Sequence, residues 1–140
     1  TGKNSYLEMV ELKTKKQGAI YSPNVAVLND RETFVVSSTL NPDDHNDCHI
    51  IHPDNIDALF DELNAREKEL PLFVLGGQQL FELLLDKVDT VIMTHIPANF
   101  ECDRFFPMDR LDSEFTMHKH EVLETSKYGN GVKLMTYIRI

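Results

Sequence analysis

The stretch LFVLGGQQLFELLL, residues 72–85, places two adjacent glycines where a short apolar run becomes a helical pattern. The run at residues 72–75 predicts a buried strand, and the residues after the glycines predict a helix that ends near Leu85. Glycine at such a bend permits a tight turn, and it also lets a ligand approach backbone where a Cβ atom would collide. Turn glycines are much commoner than phosphate sites, so the pair needs support from the rest of the chain.

The remaining sequence alternates helical and strand patterns. Helical spacing predicts helices over residues 5–12 and 53–69, with a polar loop, KTKKQG, over residues 13–18. The second helix has an apolar stripe formed by Ile56, Leu59, Phe60 and Leu63. Strands are predicted over residues 24–28, 33–38, 48–52 and 89–96. Two further alternating segments, residues 114–124 and 132–140, predict an antiparallel hairpin around Gly129, Asn130 and Gly131.

This order of elements predicts an α/β fold. We expect one domain over residues 1–140, with a mostly parallel central sheet flanked by helices and an antiparallel hairpin at the C-terminal end. The 140 residues suit a single core, and the net charge of −9 argues against a nucleic-acid surface. Apolar runs are far shorter than the roughly 20 residues of a membrane span, so we expect a cytoplasmic protein that binds no membrane.

Cysteine and histidine side chains do not predict a metal site. The two cysteines, Cys48 and Cys102, are typical of free thiols in a reducing compartment. On a strand, Cys48 and His52 face one side while His49 faces the other, so the three do not converge on one ion.

Several spaced motifs, in the same order, resemble the dihydrofolate reductase family. VLGGQQLFE is similar to the family's glycine-pair motif, and VIMTHIPANFECDRFFP is similar to the strand and acidic loop that follow it. TGKNSY is similar to the family's G-[RK]-x-[TS] helix opening. LNDRETFVVSS is similar to the family segment in which a leucine and an arginine lead into a strand that ends in serine. The resemblance covers nearly the whole chain.

The resemblance implies that NADPH is the cofactor. A helix N-terminus offers unpaired amide groups to phosphate oxygens, which agrees with the chemistry of both glycine-containing openings. It also implies a cis peptide bond between the two glycines, and a site for the adenosine 2′-phosphate near Lys3 and the serines at the end of the predicted strand over residues 33–38. The implied cofactor-binding residues are Gly2, Lys3, Asn4, Ser5, Ser37, Ser38, Thr39, Gly76, Gly77, Gln78, Gln79, Leu80 and Phe81.

The resemblance also implies that dihydrofolate is the substrate. Arg31 corresponds to the arginine that holds the glutamate tail of folate, and a guanidinium makes a bidentate pair with a carboxylate. Phe81 stands where many relatives have tyrosine, so its ring can pack against the nicotinamide without a hydroxyl hydrogen bond. Asp103 corresponds to the loop acid that helps to hold the active-site loop closed. The implied substrate-binding residues are Leu28, Arg31, Leu75, Phe81 and Thr94.

The sequence departs from the family at its beginning. The family's first strand, active-site loop, acid-bearing helix and second strand have no counterpart before TGKNSY, so the catalytic acid is not among these residues. We expect the missing segment to come from the same polypeptide or from another chain. A cut-down relative that no longer catalyses, an NADPH reductase of the riboflavin pathway, and a non-catalytic binding or structural descendant of the fold stay open as alternatives.

Overall fold

The structure of the protein is a computed structural model that describes four parts of the chain, residues 1–17, 31–66, 71–123 and 131–140. The chain divides into two compact units, Thr1–Leu80 and Phe81–Ile140. Some predicted features lie outside the described residues, namely the strand over 24–28, the site residue Leu28, the end of the helix beyond 66 and the turn residues Gly129 and Asn130.

A short parallel ladder organises the first unit. Strand β1, Phe34–Val36, pairs in parallel with strand β2, His49–Ile51. Gly2 forms a further parallel bridge to Val36, whose N–H donates to the Thr1 carbonyl at 2.8 Å. Because β-branched residues pack well on a pleated surface, Val35 can fill the centre of this ladder, where it is fully buried. The predicted parallel component of the fold is therefore present, as are the predicted strands over 33–38 and 48–52.

In the sequence, helix α1 precedes this ladder and helix α2 follows it. Helix α1, Lys3–Gln17, begins one residue after the bridge at Gly2. Helix α2, Ile56–Ala65, follows a 3-10 turn at Pro53–Asn55 and buries Ile56 and Phe60. The predicted apolar stripe is confirmed, because the two buried residues stand four positions apart on one face.

The second unit is built on an antiparallel sheet. Its strands follow the order β3, β5, β4, which comprise Thr90–His95, Lys133–Arg139 and Phe115–Val122 respectively. The predicted C-terminal hairpin is confirmed by the pairing of β4 with β5, which is interrupted by a register shift between Met117 and Lys119.

Two short helices accompany the sheet. Helix α3, Gln78–Leu84, continues into a 3-10 turn at Leu85–Lys87, and helix α4, Met108–Glu114, leads directly into β4. The buried cluster of this unit contains Leu85, Leu111 and Phe115, against which Val91, Met93, Phe106 and Tyr137 pack.

Arg139, the last residue of β5, forms hydrogen bonds to the segment that follows α3. Its Nε donates to the Val88 carbonyl at 2.9 Å, its Nη2 donates to the Leu85 carbonyl, and its Nη1 contacts Glu114 at 3.2 Å. The guanidinium carbon also lies 4.5 Å from the centre of the Phe115 ring. A half-buried arginine therefore donates to two backbone carbonyls just after α3, of which that of Leu85 also accepts the Val88 N–H at 3.3 Å.

Three local predictions were wrong, and one helix was not predicted. The polar loop over 13–18 was expected after a short helix, but α1 continues through Gln17, because lysine and glutamine propagate a helix well. Residues 72–75 form no strand in the described part of the chain, and Leu72 and Phe73 are about half exposed rather than buried. The apolar residues at 89–96 predict a buried strand, but one face of β3 is exposed, since Ile92 is 59% exposed while Val91 and Met93 pack on the core. Helix α4 was missed because seven residues give too little periodicity.

Candidate cofactor site

The glycine pair forms a tight turn immediately before α3. The peptide bond between Gly76 and Gly77 is cis, as the resemblance implied, and Gly76 has a φ of 103°. A residue with a side chain rarely adopts that φ, so the turn requires glycine at position 76. Gly76 is buried, and its carbonyl accepts the Gly2 N–H at 2.6 Å and the Thr1 hydroxyl at 3.0 Å.

The opening of α1 lies against this turn. A Cβ atom added to Gly2 would stand 3.5 Å from both the Gly76 carbonyl oxygen and the Gly77 nitrogen. A Cβ atom added to Gly77 would stand 3.5 Å from the Ser5 hydroxyl. The two glycine-containing motifs, which are more than 70 residues apart in the sequence, therefore form one continuous backbone surface.

A lysine and a hydroxyl mark one end of this surface. Lys3 Nζ donates to Thr39 Oγ1 at 2.8 Å, on the protein surface just after β1. Ser38 is exposed beside Thr39. Ser37 differs from its neighbours, because it is buried and its hydroxyl oxygen accepts the Thr39 N–H at 3.1 Å and the Leu40 N–H at 3.0 Å. Ser37 thus shapes the turn that presents Thr39.

The other predicted cofactor residues line the two helix openings. Asn4 is exposed and Ser5 half-buried at the start of α1, while Gln78 is half-buried and Gln79 exposed at the start of α3. Leu80 is only 6% exposed, so its side chain is buried and only its backbone can face a ligand.

The predicted substrate residues belong to both units. In the first unit, Arg31 is exposed ahead of β1, and Leu75 is 49% exposed directly before Gly76. In the second unit, the Phe81 ring makes an edge contact with the Phe106 ring, with centroids 5.2 Å apart. Thr94 is an exposed residue of β3 that pairs with Leu134.

Sequence reasoning missed a polar network next to the lysine. Tyr6 is fully buried in α1, and its hydroxyl lies 3.1 Å from both His45 Nδ1 and Asp47 Oδ1. The helical spacing over residues 5–12 places Tyr6 on an apolar face and indicates no polar partner for it. A signal was available, because a buried tyrosine normally has a partner for its hydroxyl, but the sequence does not say which residue that is.

The described residues contain neither a membrane-spanning helix nor a metal cluster. No helix among them is long and apolar enough to cross a membrane. Within the same four ranges, no group of three or more His, Cys, Asp or Glu side chains is arranged to hold a metal ion.

The fold and the paired openings define an α/β protein with a cis glycine turn beside a helix opening. A family model described as dihydrofolate reductase matches residues 19–139, and the chain belongs to this family. The dihydrofolate reductase of Staphylococcus haemolyticus is 33% identical over 85 residues, which cover 61% of this chain and 48% of that protein. The dihydrofolate reductase of Staphylococcus aureus strain Mu50 is 50% identical over 36 residues, 26% of this chain and 23% of that protein.

A solved structure shares the fold. It is the dihydrofolate reductase from Enterococcus faecalis complexed with NADP(H) and RAB-propyl, with a TM-score of 0.65 at 24% identity. The similarity covers 80% of this chain and 64% of that one. The chain therefore spans about half to two thirds of the length of these relatives, to judge from the 48% and 64% that it covers.

Proposed function

We propose that this chain is part of an NADPH-dependent enzyme that reduces 7,8-dihydrofolate to 5,6,7,8-tetrahydrofolate by hydride transfer to C6. The observation that supports the proposal most strongly is the contact between the opening of α1 and the glycine pair, at 2.6 Å between the Gly2 nitrogen and the Gly76 oxygen. Family membership adds the reaction class, and the relative from Enterococcus faecalis is complexed with NADP(H).

The residues at the paired openings fit a dinucleotide. Gly2 lies against the Gly76–Gly77 backbone, where an added Cβ would stand 3.5 Å from the Gly76 oxygen, and the 15-residue helix α1 presents its positive end at this contact. Lys3 and the Thr39 hydroxyl, bonded to each other at 2.8 Å, provide a cation and a donor for a phosphate monoester such as the adenosine 2′-phosphate. When bound, NADPH would supply the hydride.

The other proposed site residues contact different parts of the substrate and the cofactor. The exposed Arg31 guanidinium suits the carboxylate of the folate tail, and the Phe81 ring, held against Phe106, suits the flat face of the nicotinamide. Leu28, Leu75 and Thr94 complete the proposed substrate contacts. The acid that protonates the pterin lies outside these residues.

We also propose that an additional segment completes the sheet of the first unit. Backbone atoms of Thr1 and Gly2 bond to β1 on one side, through Val36, and to Gly76 on the other. A strand leading into Thr1 would therefore lie between β1 and residues 72–75. It would cover Leu72 and Phe73, which are 45% and 58% exposed. The same polypeptide or a second chain could supply this strand.

The proposed reaction is tested by following NADPH oxidation at 340 nm, with and without dihydrofolate, in the full protein. We expect oxidation that depends on dihydrofolate. Replacing Arg31 with Lys should raise KM for dihydrofolate about tenfold, because a lysine cannot form the bidentate pair. Arg66→Lys is the matched control, since Arg66 pairs with Glu32 and Glu62 at 3.1 and 3.0 Å on the surface.

The outcome also discriminates between the open alternatives. Turnover with a riboflavin-pathway intermediate in place of dihydrofolate would replace our proposal with that reductase. NADPH binding without any turnover in the full protein would indicate a non-catalytic descendant. A full protein that neither binds nor oxidises NADPH would contradict the proposal entirely.

A further inference from the structure

The network around Tyr6 is polar, buried and close to the proposed phosphate site. The Tyr6 side chain has no exposed surface, while His45 and Asp47 are half-buried. A hydroxyl has one hydrogen, so Tyr6 donates to the Asp47 carboxylate and accepts from His45 Nδ1–H. The rings of Tyr6 and His45 also meet edge to face at 5.4 Å. The Tyr6 hydroxyl therefore both donates and accepts a hydrogen bond in this network.

The Tyr6 hydroxyl keeps its proton. Burial, followed by the neighbouring Cys48 and Asp47, raises the pKa of Tyr6 well above its ordinary value. Burial likewise raises the pKa of the Cys48 thiol, so this neighbour stays neutral. Tyr6 is thus a permanent donor to Asp47 rather than a group that titrates.

The network joins α1 to the loop between β1 and β2, residues 37–48. Lys3 and Tyr6 are three residues apart, so they lie on the same face of the helix one turn apart. Lys3 bonds to Thr39 near the beginning of the loop, and Tyr6 bonds to His45 and Asp47 near its end. One helix face therefore holds both ends of the loop.

Short polar bonds hold the loop between these two ends. The Ser37 hydroxyl accepts the Thr39 and Leu40 N–H groups, and the Asn41 side chain accepts the Asp43 N–H at 3.0 Å. Residues 41–44 are exposed, so apolar burial contributes little to the position of this segment. The β1–β2 ladder fixes the two ends of the loop, and the side-chain bonds of Lys3 and Tyr6 join it to α1.

We propose that Tyr6 is a positioning residue that sets the preference of the site for a 2′-phosphorylated dinucleotide. By fixing the loop of residues 37–48 against α1, Tyr6 keeps Thr39 at the distance from Lys3 at which both groups contact one phosphate monoester. The inference rests on the proposed function, since it assumes that these two residues bind that phosphate. It adds a third residue, which does not contact the ligand but controls the spacing of the two that do.

Binding of NADPH and NADH separates this role from a general role in folding. A change that merely loosened the first unit would weaken both dinucleotides, whereas a change in the spacing of Lys3 and Thr39 affects only the one that carries the 2′-phosphate. If the competent loop position fell to roughly a fifth of the population, the apparent Kd for NADPH would rise about fivefold. The Kd for NADH would change by less than about twofold in the same variant.

The experiment is a fluorescence titration of the full protein with each dinucleotide. Tyr6→Phe removes the hydroxyl and keeps the ring. Tyr137→Phe is the matched control, since the Tyr137 hydroxyl donates to Met135 Sδ at 3.7 Å, in the second unit. We expect the NADPH-to-NADH preference to fall about fivefold in Tyr6→Phe and to stay at the wild-type value in Tyr137→Phe.

Each other outcome has a defined meaning. An unchanged preference in Tyr6→Phe, with NADPH still bound by the wild type, overturns the inference but leaves the proposed function intact. A wild-type protein that shows no preference for NADPH overturns the 2′-phosphate site itself. If Tyr6→Phe does not fold, Asp47→Asn decides, because this half-buried carboxylate can be changed without a change of volume. A fall of about fivefold in the NADPH-to-NADH preference of Asp47→Asn supports the inference, and an unchanged preference in that variant refutes it.

Discussion

Replacing each glycine of the pair with alanine should produce two different defects. Gly76 has a φ of 103°, and a side chain in such a conformation costs about 1–3 kcal/mol. Gly77 has no positive φ, and its added Cβ would meet the Ser5 hydroxyl at 3.5 Å, an ordinary contact. Alanine also restricts the unfolded chain, which offsets about 0.4–1 kcal/mol in both variants.

The free energy of unfolding should therefore separate the two variants. We expect Gly76→Ala to lose about 1–2 kcal/mol, which moves the urea midpoint down by roughly 0.5–1 M. We expect Gly77→Ala to stay within about 1 kcal/mol of the wild type. NADPH affinity should fall in Gly77→Ala all the same, because its methyl group stands on the surface proposed for the ligand.

Urea denaturation followed by circular dichroism provides the first measurement, and titration with NADPH provides the second. The wild type and Gly77→Ala serve as references for the stability of Gly76→Ala. The reasoning is refuted if Gly76→Ala is as stable as Gly77→Ala, or if Gly77→Ala binds NADPH as tightly as the wild type.

Three further predictions concern the second unit. Gly131→Ala should cost about 1–3 kcal/mol of stability, because its Cβ would lie 2.5 Å from Pro97 Cγ, and combining it with Pro97→Ala should recover part of that loss in a urea double-mutant cycle. Arg139→Met should cost about 1–3 kcal/mol in urea denaturation, since the Val88 carbonyl loses its donor and Glu114 loses a partner, and an effect below about 0.5 kcal/mol would contradict this estimate. The hydrogen bond from Arg110, followed by that from Arg139, lowers the pKa of Glu114 below its ordinary 4.5. The wild type should therefore be more stable than Glu114→Gln above pH 4.5, and this advantage should disappear as the pH falls through the lowered pKa.

The parts of the fold that follow local rules could be predicted from the sequence. The stripe from Ile56 to Phe60 reflects one buried face of a single helix. The alternation over residues 114–124 and 132–140 predicted two strands that do pair, although β4 buries only Phe115. The turn before α3 was predicted because it stands at two adjacent glycines, the residue type that such a bend favours. The resemblance then supplied the cis bond, which no local pattern indicates.

Features that depend on distant partners could not be predicted in the same way. Residues 72–75 have the composition of a buried strand, but a strand exists only where a neighbour provides its ladder. The contact of Tyr6 with His45 and Asp47 joins residues about 40 positions apart, and many polar pairs in the sequence could have made an equivalent contact. The length of α1 was underestimated because a polar segment was equated with a loop, although lysine and glutamine are good helix formers.

The central claim is that the openings at Gly2 and at Gly76–Gly77 bind one NADPH together. The most direct test is the 15N–1H spectrum of the full protein labelled at glycine, because six glycines in this chain give few signals to assign. On addition of NADPH, we predict that the amide signals of Gly2, Gly76 and Gly77 shift together with one saturating concentration dependence, while Gly131 stays in place. Shifts at Gly131 without shifts at the other three, or different saturation curves for Gly2 and the glycine pair, would contradict the claim.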